Sequence, residues 1–446
     1  MHHEVYYTAP SLRQPRFKAF LDECKFKLVH DVFWGLGAIK ADYKDCWILA
    51  WTDGTQTMEN YAKMEPFQRI NHFPGMGEIC KKDSLSNNMK RMKKLLPRSY
   101  SFYPLTFCLP DEAVALTRYC EHRQSEVFII KPDRNCQGIG IDIVKGLPNI
   151  KKYRNVVCQK YICKPLLMNR FKFDLRLYVL ITSISPLKIY IYKEGLVRLA
   201  TVAYKKPNAK NLHKKKMHLT NYAINKHTDD QNSEEPSDCC CKKSLYDLDK
   251  LLISSGISTS KLWSSIDGII VKTIFSALPV LEHLFSTAFP ISRPISPCFE
   301  LLGFDILLNN CGEPYLLEVN RSPSLGGSLP FDKELKQNLI RNVLNMVLLT
   351  PKQIHFLKQE QHLKSHCRLL NPNVTSSLTS RERIFAEIQE QKEIRMQGNF
   401  RMLYPVEDDR YNEIRRMSFS LDSKNVDDSK TNSTAKDSPK KKIFYL

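Results

Sequence analysis

The chain has 446 residues, of which 42% are hydrophobic and 26% are charged, and its formal net charge is +20 at pH 7. This length excludes a small disulfide-stapled scaffold and predicts two or three domains with a large core. The sequence contains no run of about 18 uncharged apolar residues and no secretory pattern at its start, so we expect no membrane span and reduced cysteines.

The first predicted elements form a small N-terminal α/β domain, which we place at residues 1–104. "FKLVHDVFWGLGAIK" has the apolar spacing of a helix, and "DCWILAW" has that of a short strand. A loop rich in proline and glycine follows. Asp83 after this loop is the expected N-cap of a basic helix that runs to Leu96.

The middle of the chain is predicted to be rich in strands. The candidate strands are "VFIIKP", "GIGIDIV", "NVVCQKYI", "FKFDLRLYVLI" and "LKIYIYKEGLVRLAT". Several of them alternate apolar and polar residues, which is typical of a half-buried sheet. We therefore place a central sheet domain at residues 105–186 and a C-terminal domain at residues 187–350.

The later part of the chain is predicted to be mostly helical. A polar insert near residues 228–244 has too little apolar content to pack, so we expect it to be mobile. "LDKLLISSG", "LWSSIDGIIVKTIFSALPVLEHLF" and "DKELKQNLIRNVLNMVLL" are predicted helices. Residues 351–417 are predicted to form a basic helical extension, and residues 418–446 a disordered tail.

A late hairpin, "FELLGFDILLNNCGEPYLLEVNRSP", carries polar groups between its apolar residues. A turn between Cys311 and Gly312 sets Asp305 directly across from Glu318, with Asn320 on the same face as Glu318. Opposed carboxylates repel each other, and their burial requires a positive partner. Mg²⁺ accepts such oxygen ligands, but an ordinary hairpin with a solvated polar face fits equally well. Both interpretations stay open on this motif alone.

Two earlier segments are compatible with a nucleotide, although the chain lacks a Walker loop. In "VFIIKPDRNCQGIGI" a strand ends at Lys131, and the loop after it contains Gly138 and Gly140. Glycines let backbone N–H groups approach phosphate oxygens, although most such loops are plain turns. In "FKFDLRLYV", Lys172 and Asp174 share one strand face with Arg176 and Tyr178. That face is either a solvated surface or part of a site.

The order of the motifs resembles that of a known family. The motifs are "NHFPGMGEICKKD", "KPDRNCQGIGI", "FKFDLRLYVLITS", "YKEGLVRLAT", "HLTNYAINK" and "GFDILL…PYLLEVNRSPS", spread over roughly residues 30–350. Together they resemble the tubulin tyrosine ligase-like family of ATP-grasp amino-acid ligases, in particular its polyglutamylase branch. The resemblance implies an α/β (α+β) fold of the ATP-grasp type.

The same resemblance implies roles for individual residues. The implied ATP-binding residues are Lys131, Gln137, Gly138, Gly140, Gln159, Lys160, Tyr161, Ile162, Lys172, Asp174, Thr220 and Asn221. The implied magnesium ligands are Asp305, Glu318 and Asn320. The implied residues for the incoming amino acid are Arg198, Tyr222 and Lys336. Catalytic roles are implied for Lys131, Arg198 and Glu318.

The family reaction defines the expected cofactors and partners. ATP, with Mg²⁺, phosphorylates a glutamate carboxylate on a tubulin tail, and the amine of free glutamate attacks the acyl phosphate. Tubulin and microtubules have acidic tails, which suit the net charge of +20. We expect a monomer without nucleic-acid or membrane partners, located in the cytoplasm on the cytoskeleton, with a cilium or basal body compatible.

Two departures and several alternatives accompany this interpretation. Ile139 and Arg321 stand where the family usually has arginine and histidine. Glycine or tyrosine could be the added residue, although Arg198 argues against glycine, which has no side-chain carboxylate to bind. The chain could instead be an inactive microtubule-binding scaffold. A nucleic-acid binder is the third alternative, but the sequence shows neither interleaved aromatic and basic residues nor a recognition-helix motif.

Overall fold

In a computed structural model of the chain, residues 16–133, 138–225, 241–327, 329–370 and 377–420 are described, with the side chains of residues 367–370 left out. Gln137, most of the predicted mobile insert and residues 421–446 of the predicted tail lie outside these ranges. All statements about the fold below refer to the described residues.

The described residues contain fifteen strands, twelve numbered α-helices and one further helical segment. The strands are β1 (Phe17–Phe20), β2 (Ala38–Lys40), β3 (Leu49–Ala50), β4 (Arg69–Ile70), β5 (Thr106–Leu109), β6 (Val127–Pro132), β7 (Asp142–Lys145), β8 (Val156–Lys160), β9 (Leu167–Met168), β10 (Phe171–Ile184), β11 (Leu187–Leu199), β12 (Lys242–Ser244), β13 (Glu300–Leu308), β14 (Pro314–Asn320) and β15 (Phe400–Tyr404). The helices are α1 (Lys27–Gly35), α2 (Met58–Ala62), α3 (Gly77–Cys80), α4 (Lys82–Leu95), α5 (Ala113–Cys120), α6 (Lys215–His218), α7 (Tyr222–Asn225), α8 (Leu245–Ser254), α9 (Thr259–Ala288), α10 (Pro330–Val347), α11 (Pro351–Leu370) and α12 (Ser380–Arg395). A short 3₁₀ turn (Ile150–Lys152) and a helical segment over residues 409–420 complete the set.

The strands form three sheets. The first is parallel with the order β2-β1-β3-β4, and the second is antiparallel with the order β5-β8-β6-β7. The third is antiparallel with the order β12-β11-β10-β13-β14. In addition, β9 pairs with β10, and β15 pairs with β11. The mixed α/β class predicted from the sequence is confirmed.

Strand β10 is central to the third sheet and is buried on both faces. Its apolar face places Phe173, Leu175 and Leu177 in a core that includes the long helix α9. Its other face places Tyr178 in a second core, which includes residues of α1 and α10. The start of that second face carries charged side chains, including Lys172. The period-two pattern of this strand therefore separates a core face from a face that begins polar.

Helix α9 has 30 residues and is long and apolar enough to cross a membrane, as judged by length and composition. In its most apolar window 67% of the residues are buried inside the protein, as in the core helix of a soluble domain. The expectation that the chain has no membrane partner stays a prediction.

The predicted cap of the basic helix is wrong. Helix α4 begins at Lys82, so Asp83 lies inside its first turn, and Lys81 at the N-cap makes no side-chain cap. Asp133, which follows β6, supplies the cap instead. Its Oδ1 accepts hydrogen bonds from the backbone N–H groups of Lys82 at 3.1 Å and Asp83 at 3.3 Å. A carboxylate that is distant in sequence therefore satisfies the free N–H groups of this helix.

Two of the predicted boundaries also differ from the structure. The boundary after residue 186 falls inside the β10–β11 hairpin, in which Ile184 pairs with Leu187, so β10 belongs to the same sheet as the next segment. The end of the predicted mobile insert, Lys242–Ser244, is strand β12, which pairs with β11. Backbone pairing to a long neighbouring strand orders these polar residues despite their low apolar content.

The segment predicted as a helical extension is not purely helical. Helices α11 and α12 are present, but strand β15 follows them and pairs with β11, with Phe400 opposite Tyr192. Phe400 is fully buried in the second core. The helical segment that follows reaches residue 420, so the first three residues of the predicted disordered tail are ordered. The extension is therefore a structural part of the main sheet.

Candidate functional site

A pocket lies where the second sheet meets the third. It is lined by twelve of the predicted site residues: Lys131, Gln159, Lys160, Tyr161, Ile162, Lys172, Asp174, Arg198, Thr220, Asn221, Asp305 and Glu318. An adjoining pocket shares Lys131, Asn221 and Glu318 and adds Gly138 and Asn320. A larger cavity of about 750 Å³ lies between the end of α9 and α12 and contains none of the predicted site residues. The chemistry of the lining therefore identifies the candidate site, and its size does not.

Lys131 is a buried cation at the end of β6. Its Nζ donates a hydrogen bond to Gln159 Oε1 at 2.8 Å and approaches the backbone O of Leu317 at 3.5 Å. Burial lowers the pKa of Lys131, and the nearby charge of Glu318 opposes that shift. No salt bridge joins this lysine to any residue that the structure describes. A buried cation with neutral partners favours an added anion.

Lys172 is a second buried cation of this kind, on β10. Its Nζ lies 2.9 Å from the Tyr161 hydroxyl and 2.9 Å from the backbone O of His218. Burial lowers the pKa of Lys172 to about 7, although Asp174 acts in the opposite direction. Within the described chain this lysine also has no salt bridge. Two such lysines in one pocket suit a ligand with several negative charges, such as a polyphosphate.

Between these lysines and the hairpin, arginine and aspartate side chains form a buried network. Arg198 on β11 bonds Asp174 through Nε and Nη2 at 2.7 and 2.8 Å, and its Nη2 bonds Asp305 Oδ2 at 2.7 Å. Arg176 on β10 bonds both oxygens of Asp305, at 2.6 and 3.1 Å. Thr220 donates to Asp174 at 2.5 Å. Burial raises the pKa of Asp305, but both arginines outweigh it and hold that pKa well below its usual range.

The hairpin has the predicted pairing at its polar end. Asp305 pairs with Glu318, and Gly303 pairs with Asn320. A bulge follows, because Ile306 pairs with Leu316, so Leu317 is an extra residue in β14. The sequence pattern did not decide whether a magnesium ion neutralises these carboxylates or whether they lie on a solvated face. In the structure, two arginines neutralise Asp305.

The oxygens that remain suit a hard metal ion. The Glu318 carboxylate has no hydrogen bond or salt bridge to a described residue, and it lines both pockets. The Asn320 side chain uses its Nδ2 to bond the backbone O of Gly303 at 3.3 Å, which leaves its Oδ1 available. Carboxylate and amide oxygens are ligands that Mg²⁺ accepts. Among the described residues no group of three His, Cys, Asp or Glu side chains is arranged for a metal, so a metal here would need ligands from a substrate or water.

The glycine loop is compatible with an anion at the same place. Gly138 and Gly140 have φ angles of 82° and 74°, which favour glycine. A Cβ atom on Gly138 would lie 2.3 Å from a side-chain carbon of Ile224 and 3.2 Å from Asn221 Oδ1. The positive φ angle and these close contacts together favour glycine at position 138. Gly138 lines the adjoining pocket, and Gly140 lines neither of the two.

Three of the predicted residues that the structure describes lie outside both pockets, namely Gly140, Tyr222 and Lys336. Lys336 Nζ bonds Asp332 at 2.9 Å and the backbone O of Gly326 at 2.6 Å. Lys242 bonds the other oxygen of Asp332 at 2.7 Å, and its Nζ lies 4.1 Å from the centre of the Tyr222 ring. Lys336 and Tyr222 are therefore linked through a separate cluster, and their role in amino-acid binding stays a prediction.

The residue patterns assigned no role to two side chains that shape the site, Arg176 and His218. Arg176 shares a strand face with Lys172 and Asp174, so the alternation of "FKFDLRL" contained the signal. His218 stands two residues before Thr220 in "HLTN", and its ring partners are Asn211, seven residues earlier, and Tyr161, which is distant in sequence. No local pattern indicates those contacts.

The region that builds these pockets matches the description of one protein family. A model of the tubulin-tyrosine ligase family matches residues 59–355, which is more than half of the chain and includes every predicted site residue. The chain belongs to the tubulin-tyrosine ligase family. The family predicted from the order of the motifs is confirmed.

This member of the tubulin-tyrosine ligase family is similar to several curated proteins. It is 38% identical over 403 residues to tubulin polyglutamylase TTLL6 of Mus musculus, covering 88% of this chain and 48% of that protein. It is 43% identical over 331 residues to tubulin polyglutamylase TTLL13 of Homo sapiens, covering 74% and 40%. It is 36% identical over 368 residues to a probable beta-tubulin polyglutamylase of Tetrahymena thermophila, covering 80% and 31%. The chain thus spans about half the length, or less, of these relatives.

Proposed function

We propose that this chain is an ATP-dependent tubulin polyglutamylase, which ligates glutamate to glutamate side chains of tubulin C-terminal tails. The observation that carries this proposal is the pair of buried lysines, Lys131 and Lys172, in one pocket without a salt bridge to a described residue. The polyglutamylase names of the similar proteins support the choice of substrate.

The proposed fold is of the ATP-grasp type. The second sheet supplies Lys131, Gln159 and Lys160, and the third sheet supplies Lys172 and Asp174, so a nucleotide between them would contact both. Lys131, Lys172 and the Gly138 backbone would bind the phosphates. The residues from Gln159 to Ile162 would line the base, and Asp174, Thr220 and Asn221 would complete the nucleotide contacts.

Magnesium is proposed at the phosphate end of this site. Glu318 and Asn320 offer oxygens that are not used within the described chain, and Asp305 lies opposite Glu318. Magnesium would neutralise phosphate charge during phosphoryl transfer. Arg176 and Arg198 keep Asp305 ionised, because they hold its pKa well below the usual range. Asp305 is therefore ionised at neutral pH, with both of its oxygens paired to these arginines.

In the proposed reaction ATP transfers its terminal phosphoryl group to a glutamate carboxylate of the tail, which gives an acyl phosphate and ADP. The amine of free glutamate then attacks the acyl carbon, which forms an isopeptide bond and releases inorganic phosphate. Arg198 would bind a carboxylate of the incoming amino acid, because its Nη1 makes no hydrogen bond to a described residue. The cations of the site would stabilise the charge that develops on the transferred group. The protein forms no covalent bond to the substrates in this reaction, so much of the rate acceleration comes from how it positions them.

The proposed partners follow from charge. Tubulin tails are acidic, and the net charge of +20 would attract them over a screening length that depends on the ionic strength. We also propose a monomer in the cytoplasm, on microtubules, with a cilium or basal body as a compatible location.

The test is amino-acid incorporation into tubulin. The chain is incubated with tubulin, ATP, magnesium and labelled glutamate, glycine or tyrosine in separate reactions, and the tails are mapped by mass spectrometry. The proposal expects incorporation of glutamate alone. Incorporation of glycine or tyrosine in place of glutamate would show that the chain is a glycine or tyrosine ligase. Binding to microtubules without any incorporation would identify an inactive scaffold.

A further inference from the structure

We propose that His218 is a positioning residue, whose neutral ring holds the Tyr161 hydroxyl and thereby directs the Lys172 ammonium group toward the phosphates of the nucleotide. This inference rests on the proposed function, because it assigns a task to a residue beside the proposed nucleotide site. It is carried by a row of hydrogen bonds from β10 through Tyr161 to the loop before α6.

The ring nitrogens of His218 have one partner each. Nε2 lies 3.0 Å from the backbone O of Asn211, and Nδ1 lies 3.0 Å from the Tyr161 hydroxyl. A carbonyl oxygen only accepts, so Nε2 carries the proton, and Nδ1 of the neutral ring must accept. This network assigns the tautomer. The Tyr161 hydroxyl therefore donates its proton to His218.

The Tyr161 oxygen can then accept from Lys172. The Lys172 Nζ lies 2.9 Å from this oxygen and 2.9 Å from the backbone O of His218. An ammonium group has three N–H bonds, so these two acceptors leave one for the pocket that Lys172 lines. His218 thus acts on Lys172 twice, through its own carbonyl and through Tyr161.

The surroundings favour a neutral ring. The Tyr161 and Tyr204 rings pack edge-on against His218, with centroid distances of 5.6 and 6.0 Å. Burial lowers the pKa of His218 against the effect of its bond to Asn211, and the charge of Lys172 lowers that pKa further. No carboxylate bonds this ring among the described residues.

The charged and titratable groups around Lys172 come from several elements. Asp174 lies on the same strand, Lys131 on β6 and Cys163 on the loop after β8. Asp174 and Cys163 raise the pKa of Lys172, and Lys131 lowers it. All donors in the row point from Lys172 toward Asn211, so each bond polarises the next. Without the Nδ1 acceptor, the Tyr161 proton can turn toward Lys172 and compete with the ammonium protons. Lys172 would then hold its charge less well.

Three variants test this arrangement in the full chain. His218→Gln keeps a polar group near the Nε2 position but none at Nδ1, whereas His218→Asn keeps an oxygen near the Nδ1 position. Tyr161→Phe removes the intermediate hydroxyl. Affinity for a non-hydrolysable ATP analogue is measured by calorimetry from pH 6 to pH 9, and thermal melting checks that each variant is folded.

The expected result separates the variants. Tyr161→Phe removes the hydrogen bond to the charged Lys172, which predicts about tenfold weaker binding near pH 7.5, with the midpoint of the pH dependence moved to lower pH. His218→Gln should give the same result, because without the Nδ1 acceptor the Tyr161 proton competes with the ammonium protons for the same place. His218→Asn should stay within about threefold of the natural chain at each pH, because it retains an acceptor. Equal losses in both His218 variants with an unmoved pH midpoint would overturn the proposal, since they would indicate a purely structural side chain.

A measurement without nucleotide separates this inference from the proposed function. ¹⁵N NMR of labelled histidine, with His218 assigned by difference from His218→Asn, should show a protonated Nε2 and an unprotonated Nδ1. A natural chain that shows this tautomer but binds no ATP analogue would refute the proposed function. A natural chain that binds the analogue with a charged His218, or with the opposite tautomer, would overturn the present inference.

Discussion

At the scale of single residues, Lys172 gives the site a defined pH dependence. Burial holds its pKa at about 7 in the nucleotide-free chain, far below the usual value for lysine. Phosphates beside it would favour the charged form and raise this pKa. At pH 8 the free chain carries mostly neutral Lys172, so nucleotide binding should take up close to one proton. At pH 6 Lys172 is already charged, and uptake by this residue should vanish.

Calorimetry in buffers of different ionisation enthalpy measures this proton uptake directly. Lys172→Arg is the matched control, because a guanidinium group stays charged at both pH values and should abolish the uptake at pH 8. Proton release at pH 8, or uptake in Lys172→Arg that equals that of the natural chain, would contradict this account of the lysine.

At the scale of elements, Asp133 links the proposed phosphate-binding lysine to helix α4. It follows β6, and its carboxylate caps the first turn of α4. Replacement by alanine should lower the free energy of unfolding by about 1 kcal/mol, as loss of a helix cap usually does. Asp111→Ala at an exposed position is the matched control and should change the melting temperature little. Equal melting temperatures for Asp133→Ala and the natural chain would show that the cap is not stabilising.

Prediction from sequence succeeded at this scale where a pattern was local. The alternation of "FKFDLRLYV" correctly separated the apolar and polar faces of β10. The predicted pairing of Asp305 with Glu318 is present, but the predicted turn does not produce it, because Leu308 pairs with Pro314 and the bulge at Leu317 then restores the register. Prediction from sequence failed where a contact joins residues that are not neighbours in the sequence. The cap from Asp133, the bulge at Leu317 and the strand pairing of Lys242–Ser244 all depend on residues brought together only by the fold.

At the scale of the whole molecule, the segment after residue 350 is tied into the main sheet. Phe400 on β15 is fully buried, and its ring lies 4.9 Å from that of Tyr192. Phe400→Ala should destabilise the chain by about 3 kcal/mol or more, because it leaves a cavity in the second core. Val406→Ala, at a position with 47% exposure, is the control. Similar melting temperatures for the two variants would show that β15 contributes little to the fold.

The assembly of the pocket was predictable only through the order of the motifs. Composition and periodicity indicated a mixed α/β chain, and the structure confirms that class. No single motif indicated that Lys131 from one sheet and Lys172 from another line one pocket. The two arginines on Asp305 could not be assigned either, since a buried carboxylate is satisfied equally by a cation from the protein or from solution.

The central claim is that the polar end of the β13–β14 hairpin serves an ATP-dependent glutamate ligase, and one comparison tests it most directly. Incorporation of labelled glutamate into tubulin is measured for Glu318→Gln and for Glu313→Gln, an exposed position in the same hairpin. Removal of one charge-stabilising group from a catalytic site usually costs about 10²–10³ in rate, so Glu318→Gln should lose at least that much, and Glu313→Gln should retain the natural rate. Equal incorporation by Glu318→Gln and the natural chain would contradict the account.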